Sequence, residues 1–436
     1  LFLGIGFESK YTFRKYSVQN NTIFLSKNHR TEIGAGFDIM RTDLEFKLDL
    51  DERLEAIVQN NPNFNAISNG TIDGKDYYRA NIYAQDRTKL SKKLYAQYGL
   101  RFEYFAINKK AYLSPRLNIS YAIDKVTTLR GGTGVYYQSP GYEKLIDAQV
   151  FYDLSEEKAA RLEAERSIHY ILGAERWLSN DLIARVETYY KQFSNLIVQE
   201  KLTGYRYEYY PYDPNNTDPT YLRDPDNWYR SSTKLPYDSV TATPVNGAKG
   251  YAYGFELFLE KKAVNPSQKF SGWISYSLSY ANRQRDGLTT PFRYDQRHSV
   301  NLVANYKILS WLELGARFNF ASNFPVTLPT GIKPRIVGDS LAVLPVLDIV
   351  QFDFDFGDET NRFSTKKPDY HRLDIRATAY TKFWNVDWAF YLDVVNVYNR
   401  QNIVGYDFYI DDALKVKVKP IGQFPILPTI GVTARF

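Results

Sequence analysis

The chain has 436 residues, 44% of them hydrophobic and 16% aromatic, with no Cys, one Met and a formal net charge of +6. That length ordinarily predicts two or three soluble domains, and a charge of +6 spread over it is too diffuse for a nucleic-acid binder. Absence of Cys excludes thiolate catalysis, disulfides and Cys-ligated zinc, and no stretch approaches the ~18 uninterrupted apolar residues of a membrane helix.

The chain opens at Leu1 in LFLGIGFESK, without an initiator Met or signal peptide, which implies a mature form or a fragment. From there, period-two alternation recurs to the end. Short turns are predicted at Ser26–Thr31, Lys89–Lys93, Asp124–Thr127, Ser179–Asp181, Val264–Lys269, Leu309–Trp311 and Trp384–Val386. The connections between them include the long segments Asp51–Gly74, Ser139–Glu165, Thr203–Gly247 and Thr327–Pro368.

The alternation is clearest in the second half. Over Gly250–Lys261, Tyr251, Tyr253, Phe255, Leu257 and Leu259 alternate with smaller or charged residues. Ile274, Tyr276, Leu278 and Tyr280 then alternate with Ser275, Ser277 and Ser279; Leu312, Leu314, Ala316, Phe318 and Phe320 alternate with Glu313, Gly315, Arg317 and Asn319. In the last strand Ile430, Val432, Ala434 and Phe436 share one face.

A soluble sandwich alternates in strands of ~5–6 residues, whereas many of these run to ten or more. Strands of that length, apolar on one side and polar on the other, suit a transmembrane antiparallel β-barrel with a wet interior. Only a closed barrel satisfies the backbone in hydrocarbon. Placing every short turn on one side puts every long loop on the other, as barrels of the outer membrane require, and about sixteen strands result. The 37 Tyr then divide between strand ends at the lipid boundary and one dense loop. The terminal Phe436 is the residue type such barrels present to their insertion machinery.

Several segments, in order, resemble strands of TonB-dependent outer-membrane receptors of the Bacteroidota type. They include Ser26–Phe37 (SKNHRTEIGAGF), Tyr83–Arg101, Ser114–Tyr121 (SPRLNISY), Arg130–Pro140 (RGGTGVYYQSP), Tyr253–Glu260 and Gly272–Tyr280. Tyr294–His298 (YDQRH), Tyr370–Ala377, Leu392–Arg400 (LDVVNVYNR) and Phe424–Phe436 complete the series. The resemblance implies an integral protein of the Gram-negative outer membrane that imports a scarce ligand (siderophore, oligosaccharide, peptide or cofactor) with TonB-derived energy. Such barrels have about 22 strands and a plugged lumen, so residues 1–436 read as the C-terminal part of one, with the plug and first strands absent. Implied partners are membrane lipid, the TonB complex through that plug, the insertion machinery, and a surface lipoprotein lid or other envelope proteins, with no nucleic acid. A passive sixteen-stranded porin and a structural barrel within a larger assembly are the alternatives.

No GxSxG, HExxH or Walker pattern occurs, and His29, His169, His298 and His371 are scattered, so no enzyme and no resident cofactor are expected. Asp353, Asp355 and Asp358, with Glu359, sit in one loop and could hold Ca²⁺ or simply be solvated. The apolar Leu341–Val350 either folds back on the barrel mouth or docks a partner.

The loop Thr203–Gly247 offers Tyr205, Arg206, Tyr207, Tyr209, Tyr210, Arg223, Trp228, Tyr229 and Arg230. Rigid aromatics with Arg grip flat or anionic ligands at little entropic cost, although the same side chains could equally pack the loop. By parity Arg101, Glu103, Arg185, Glu187, Glu256, Arg317, Asn319, Asp374 and Arg376 face the lumen, where they would meet ligand or plug.

Overall fold

The computed structural model describes residues 5–50, 69–141, 152, 154–265, 267–344 and 347–436. The expected connection Asp51–Gly74 therefore lies largely outside the described residues, as do Leu1 and parts of Ser139–Glu165 and Leu341–Val350. Fifteen strands follow one another in a single antiparallel sheet. They are β1 (Ile5–Leu25), β2 (His29–Leu50), β3 (Asn69–Lys89), β4 (Leu94–Phe105), β5 (Lys110–Ala122), β6 (Thr127–Gln138), β7 (Glu165–Trp177) and β8 (Leu182–Arg206). The series continues with β9 (Leu235–Lys261), β10 (Phe270–Arg285), β11 (His298–Leu309), β12 (Leu312–Ala321), β13 (Tyr370–Phe383), β14 (Val386–Val395) and β15 (Leu427–Arg435). A short strand, Leu288–Pro291, adds to the upper end of β10 and brings the sheet to sixteen strands. Among the described residues β1 and β15 do not pair with one another.

Register separates the two faces. Ile82, Phe102 and Leu113 lie in one cross-strand row and are exposed on the outside. One residue along each strand, Tyr83, Arg101 and Ser114 form the matching row on the polar inner face. Because side chains alternate strictly, a one-residue slip would turn every apolar group inward, and this fixes the register.

All seven predicted short turns are present and lie at one end of the sheet. The opposite end carries the long connections, with one exception: β4 and β5 are joined by residues 106–109 alone. The wall is low at that point because its neighbours continue past it. β3 pairs with β4 only as far as Arg79 with Phe105, whereas β2 and β3 stay paired up to Lys47 with Asn69. Likewise β7 leaves β8 at Arg166 and Ser194, whereas β8 and β9 run on to Arg206 and Leu235. At ~3.3 Å per residue the two tall hairpins rise roughly 30–40 Å past the shorter strands beside them, before twist and tilt.

The notch between them is filled. Helix α1 (Glu156–Arg161) and its flanks bring Leu154, Ala159 and Leu162 against Met40, Tyr77, Ile107 and Ile197. Asn108, 1% exposed, donates from Nδ2 to the Leu162 carbonyl at 3.1 Å and to Tyr112 Oη at 2.8 Å. A helix of six residues leaves almost no periodic signal.

Candidate ligand-capture surfaces

The loop expected at Thr203–Gly247 is narrower than its sequence suggests, because β8 and β9 extend through both of its ends and only residues 207–234 remain outside the sheet. The register of this hairpin shifts between Val240 and Pro244 and twice more by Gly250, where bulges accommodate the proline. At its tip Tyr209–Pro211 pairs with Trp228–Arg230, and helix α2 (Pro219–Arg223) lies between. Asp218 caps α2 by accepting from the Thr220 amide at 2.8 Å, which with Pro219 at the first position explains where the helix starts.

The nine residues expected to hold ligand have unequal roles. Tyr205, Tyr210 and Tyr229 are exposed, and Tyr229 lies 5.8 Å from Tyr210 and 5.3 Å from Tyr212 between ring centres. Arg206 stacks 4.6 Å over Tyr237 while pairing with Glu208 at 2.9 Å, and Arg230 stacks 4.1 Å over Tyr207. Trp228 donates from Nε1 to the Leu222 carbonyl at 2.9 Å and packs 6.0 Å from Phe352 of the next loop. Tyr209 donates to the Asp339 carbonyl at 3.1 Å. Arg223 closes α2.

The loops therefore grip each other. Lys234 Nζ meets the Asp339 carboxylate at 2.5 Å; this bond raises the Lys234 pKa and lowers that of Asp339. Val350, 3% exposed, belongs to the short hairpin of Val343–Leu344 with Ile349–Val350, which packs against α2. The apolar stretch is thus partly covered by the neighbouring loop. A third connection, holding the hairpin of Ile403–Ile410 with Val416–Gly422, brings Phe408 to 6.1 Å from Phe354 and 6.3 Å from Phe356. Asp339, Lys234, Phe352 and Phe408 carry these contacts, and no local pattern marks them.

The three candidate carboxylates are engaged separately. Asp353 pairs with Arg335 at 2.6 Å, Asp355 with Lys333 at 3.5 Å, and Asp358 accepts from the Thr360 amide at 2.8 Å. Among the described residues no group of three or more His, Asp or Glu is disposed to hold a metal. The four His sit apart, each with a local partner: His29 with Asp86, His169 with Ser167, His298 with Tyr276 and His371 with Tyr398.

Register places Arg101, Arg185, Glu187, Glu256, Arg317, Asn319 and Arg376 on the inner face. Most of the cations are paired there: Arg101 with Glu103 at 3.0 Å, Arg185 with Glu175 at 2.6 Å and Arg376 with Asp393 at 3.0 Å. Asn319 donates to Asn301 at 2.5 Å. A three-part arrangement also recurs on these strands. A Tyr ring covers a glycine, and a cation packs against the same ring. Gly34, Tyr83 and Arg101 form one such set, and Gly431, Tyr391 and Arg376 another. Gly134 with Tyr136 and Arg116, Gly254 with Tyr189 and Lys191, and Gly204 with Tyr237 and Arg206 repeat it. Phe436 follows the end of β15 and is fully exposed.

Known proteins match this architecture. The family described as "TonB dependent receptor-like, beta-barrel" matches residues 4–399. Among solved structures, the ferric yersiniabactin uptake receptor FyuA from Yersinia pestis is 13% identical with a TM-score of 0.58, covering 100% of this chain and 56% of its own. The siderophore receptor PirA from Acinetobacter baumannii is 13% identical with a TM-score of 0.57, covering 98% and 55%. The outer membrane transporter YddB from Escherichia coli is 11% identical, also at 0.57, with the same coverage. At such identities the likeness is one of fold, and the chain spans just over half the length of these proteins. No curated protein matches in sequence. The family match extends across nearly the whole chain, which therefore belongs to the TonB-dependent receptor β-barrel family.

Proposed function

We propose that the chain is the C-terminal barrel portion of an integral outer-membrane transporter, a non-enzyme, that takes up a scarce ligand with energy supplied through TonB. The family match over residues 4–399 carries this reading. In it, a plug domain and further strands precede the chain and contact TonB, the strand ending at Phe436 engages the insertion machinery, and no cofactor is needed. FyuA is named as a ferric yersiniabactin uptake receptor and PirA as a siderophore receptor, which favours a metal chelate over an oligosaccharide or peptide as cargo. The mutually docked loops supply the outer surface where a ligand is first held. The exposed Tyr205, Tyr210 and Tyr229 are its contact residues, with Arg223 nearby.

The test is uptake of radiolabelled iron chelates by cells producing the full-length protein, with and without functional TonB. Uptake that requires TonB is expected. A steadily open pore of the intact protein in planar bilayers would overturn the reading in favour of a passive porin.

A further inference from the structure

Two of the four histidines stand on the outer face, at the border where the strands meet the long connections. Register sets Tyr276, Val300, Phe320 and His371 in one row across β10 to β13, on the faces that expose Ile274, Tyr306, Leu314 and Ile375. His298 lies on the same face of β11 as Val300, one step nearer the long connections. Each imidazole is held by a tyrosine: Tyr276 Oη lies 3.0 Å from His298 Nδ1, and Tyr398 Oη lies 2.8 Å from His371 Nδ1. With each hydroxyl donating, the ring proton sits on Nε2, for which no described residue supplies an acceptor.

An imidazole on a lipid-facing wall is costly unless its polar edge meets a partner. The segments directly beyond these strands, residues 292–297, 322–324, 367–369 and 396–402, carry Arg293, Arg297, Lys367 and Arg400 against two acids, Asp295 and Asp369. Asp295 is 2% exposed and engaged by the Ala281 amide and by Arg297, which leaves Asp369 as the exposed acid of these segments. Lys367 and Arg400 form no ion pair among the described residues, and Arg400 and Asp369 are the charges that act on His371. Flat rings continue the patch. Tyr253 stacks on Tyr280 at 5.1 Å, and the Arg297 guanidinium lies 4.9 Å from the Tyr280 ring centre. On the other side of the row, towards the short turns, the wall is apolar: Ile274, Leu302, Phe318 and Leu373 stand side by side.

We propose that this outer patch binds the phosphorylated sugar headgroup of a glycolipid in the adjoining leaflet. His298 and His371 donate from Nε2 to its phosphates, Lys367 and Arg400 supply charge, and the Tyr253–Tyr280 pair lies against a sugar ring. The acyl chains run down the apolar row of Ile274, Leu302, Phe318 and Leu373. His298 and His371 stand two strands and one step apart, roughly 12 Å along the sheet. That separation suits two linked sugars with a phosphate at each end better than a single phosphodiester. The inference needs the outer-membrane setting of the proposed function and does not need import.

The test measures lipid retention by the full-length protein in detergent, using native mass spectrometry. The probes are diphosphoryl lipid A, the same lipid stripped of both phosphates, and phosphatidylglycerol. Diphosphoryl lipid A is retained more strongly than either of the others by roughly tenfold or more. H298L/H371L, which places ordinary lipid-facing residues on the wall, removes that preference without lowering the melting temperature. H298R/H371R, which restores donors of another shape, keeps it. Y170F/Y190F, an exposed tyrosine pair on the outer face of β7 and β8, leaves it unchanged. Equal retention of phosphatidylglycerol overturns the proposal and makes the patch an ordinary lipid boundary. Persistence of the preference in H298L/H371L overturns it too, as does an equal loss in Y170F/Y190F. The comparison of the two forms of lipid A on the wild type decides the matter without any variant, since equal retention of both leaves the phosphates no role. A protein that holds the glycolipid but imports nothing sinks the import reading alone, and one that imports without the preference sinks this inference alone.

Discussion

Tyr391 lies flat across Gly431 on the adjacent strand, so close that a Cβ at position 431 would stand 2.3 Å from the ring. The same ring carries the Arg376 guanidinium 4.0 Å from its centre. A bare patch of backbone and a cation thus share one aromatic plate.

Substitution at the patch should be costly for a reason visible only in three dimensions. Gly431→Ala forces Tyr391 off the sheet and destabilises the barrel by about 1–3 kcal/mol. Tyr391→Ala removes the obstruction, so that G431A costs little in its presence. A double-mutant cycle by urea unfolding in detergent reads the coupling, and additive effects would contradict the stacked arrangement.

The buried asparagines are a second point of vulnerability. Asn396, 2% exposed and at φ +56°, donates to the Arg400 carbonyl at 2.9 Å and accepts from the Arg400 amide at 3.0 Å. Asn396→Ala leaves these main-chain groups unpaired, and about 2–3 kcal/mol of stability is lost. Thermal unfolding checks this against Lys415→Ala on the outer hairpin, which should change the midpoint little.

The contact of Lys234 with Asp339 sets a pH window for the docked loops. Asp339 has its pKa lowered, so its contribution is present above the ordinary carboxylate value of ~4 and fades as pH falls below it. Lys234 has its pKa raised, so its contribution is complete below the ordinary ~10.4 and is lost as pH rises through the raised value. Proteolysis within residues 207–234 should therefore be slowest between those limits, and D339N should abolish the difference at low pH.

In the short turn between β7 and β8, hydrogen bonds from Lys261 and then Ser179 pull Asp181 down to about 2. Its stabilising effect is present above the unfolded value near ~4 and disappears as pH falls through the folded one. The urea midpoint of the wild type should drop between those values more steeply than that of D181N. Parallel curves would count against the contact.

Much of the fold was legible because lipid imposes a rule on sequence. Where an outer face meets hydrocarbon, Leu257, Tyr276 and Val300 must alternate with polar neighbours, and the strands are plain. Past the membrane the rule lapses. β8 and β9 continue through Thr203, Tyr205, Pro236 and Asp238, which carry no alternation, so the sequence there reads as loop. The low connection at residues 106–109 was invisible for a similar reason, since its cover comes from Leu154 and Leu162 far along the chain. Of the candidate site, the density of Tyr and Arg in one loop was legible. That Trp228 meets Phe352 and Lys234 meets Asp339 depends on contacts between loops, which no local spacing encodes.

Beside the side-chain contacts between loops, four asparagines anchor the connections at the open end through main-chain groups. Asn108 bonds the Leu162 carbonyl, Asn246 the Glu163 and Asn195 carbonyls, Asn323 the Pro368 and Ile403 carbonyls, and Asn402 the amide and carbonyl of His371. Such footings are indifferent to the identity of the residues they hold. Away from the loop-to-loop contacts, the residues held at these main-chain footings are free to vary in side chain while each hairpin keeps its purchase on the wall. A surface that must change its cargo or escape recognition without refolding would be built this way.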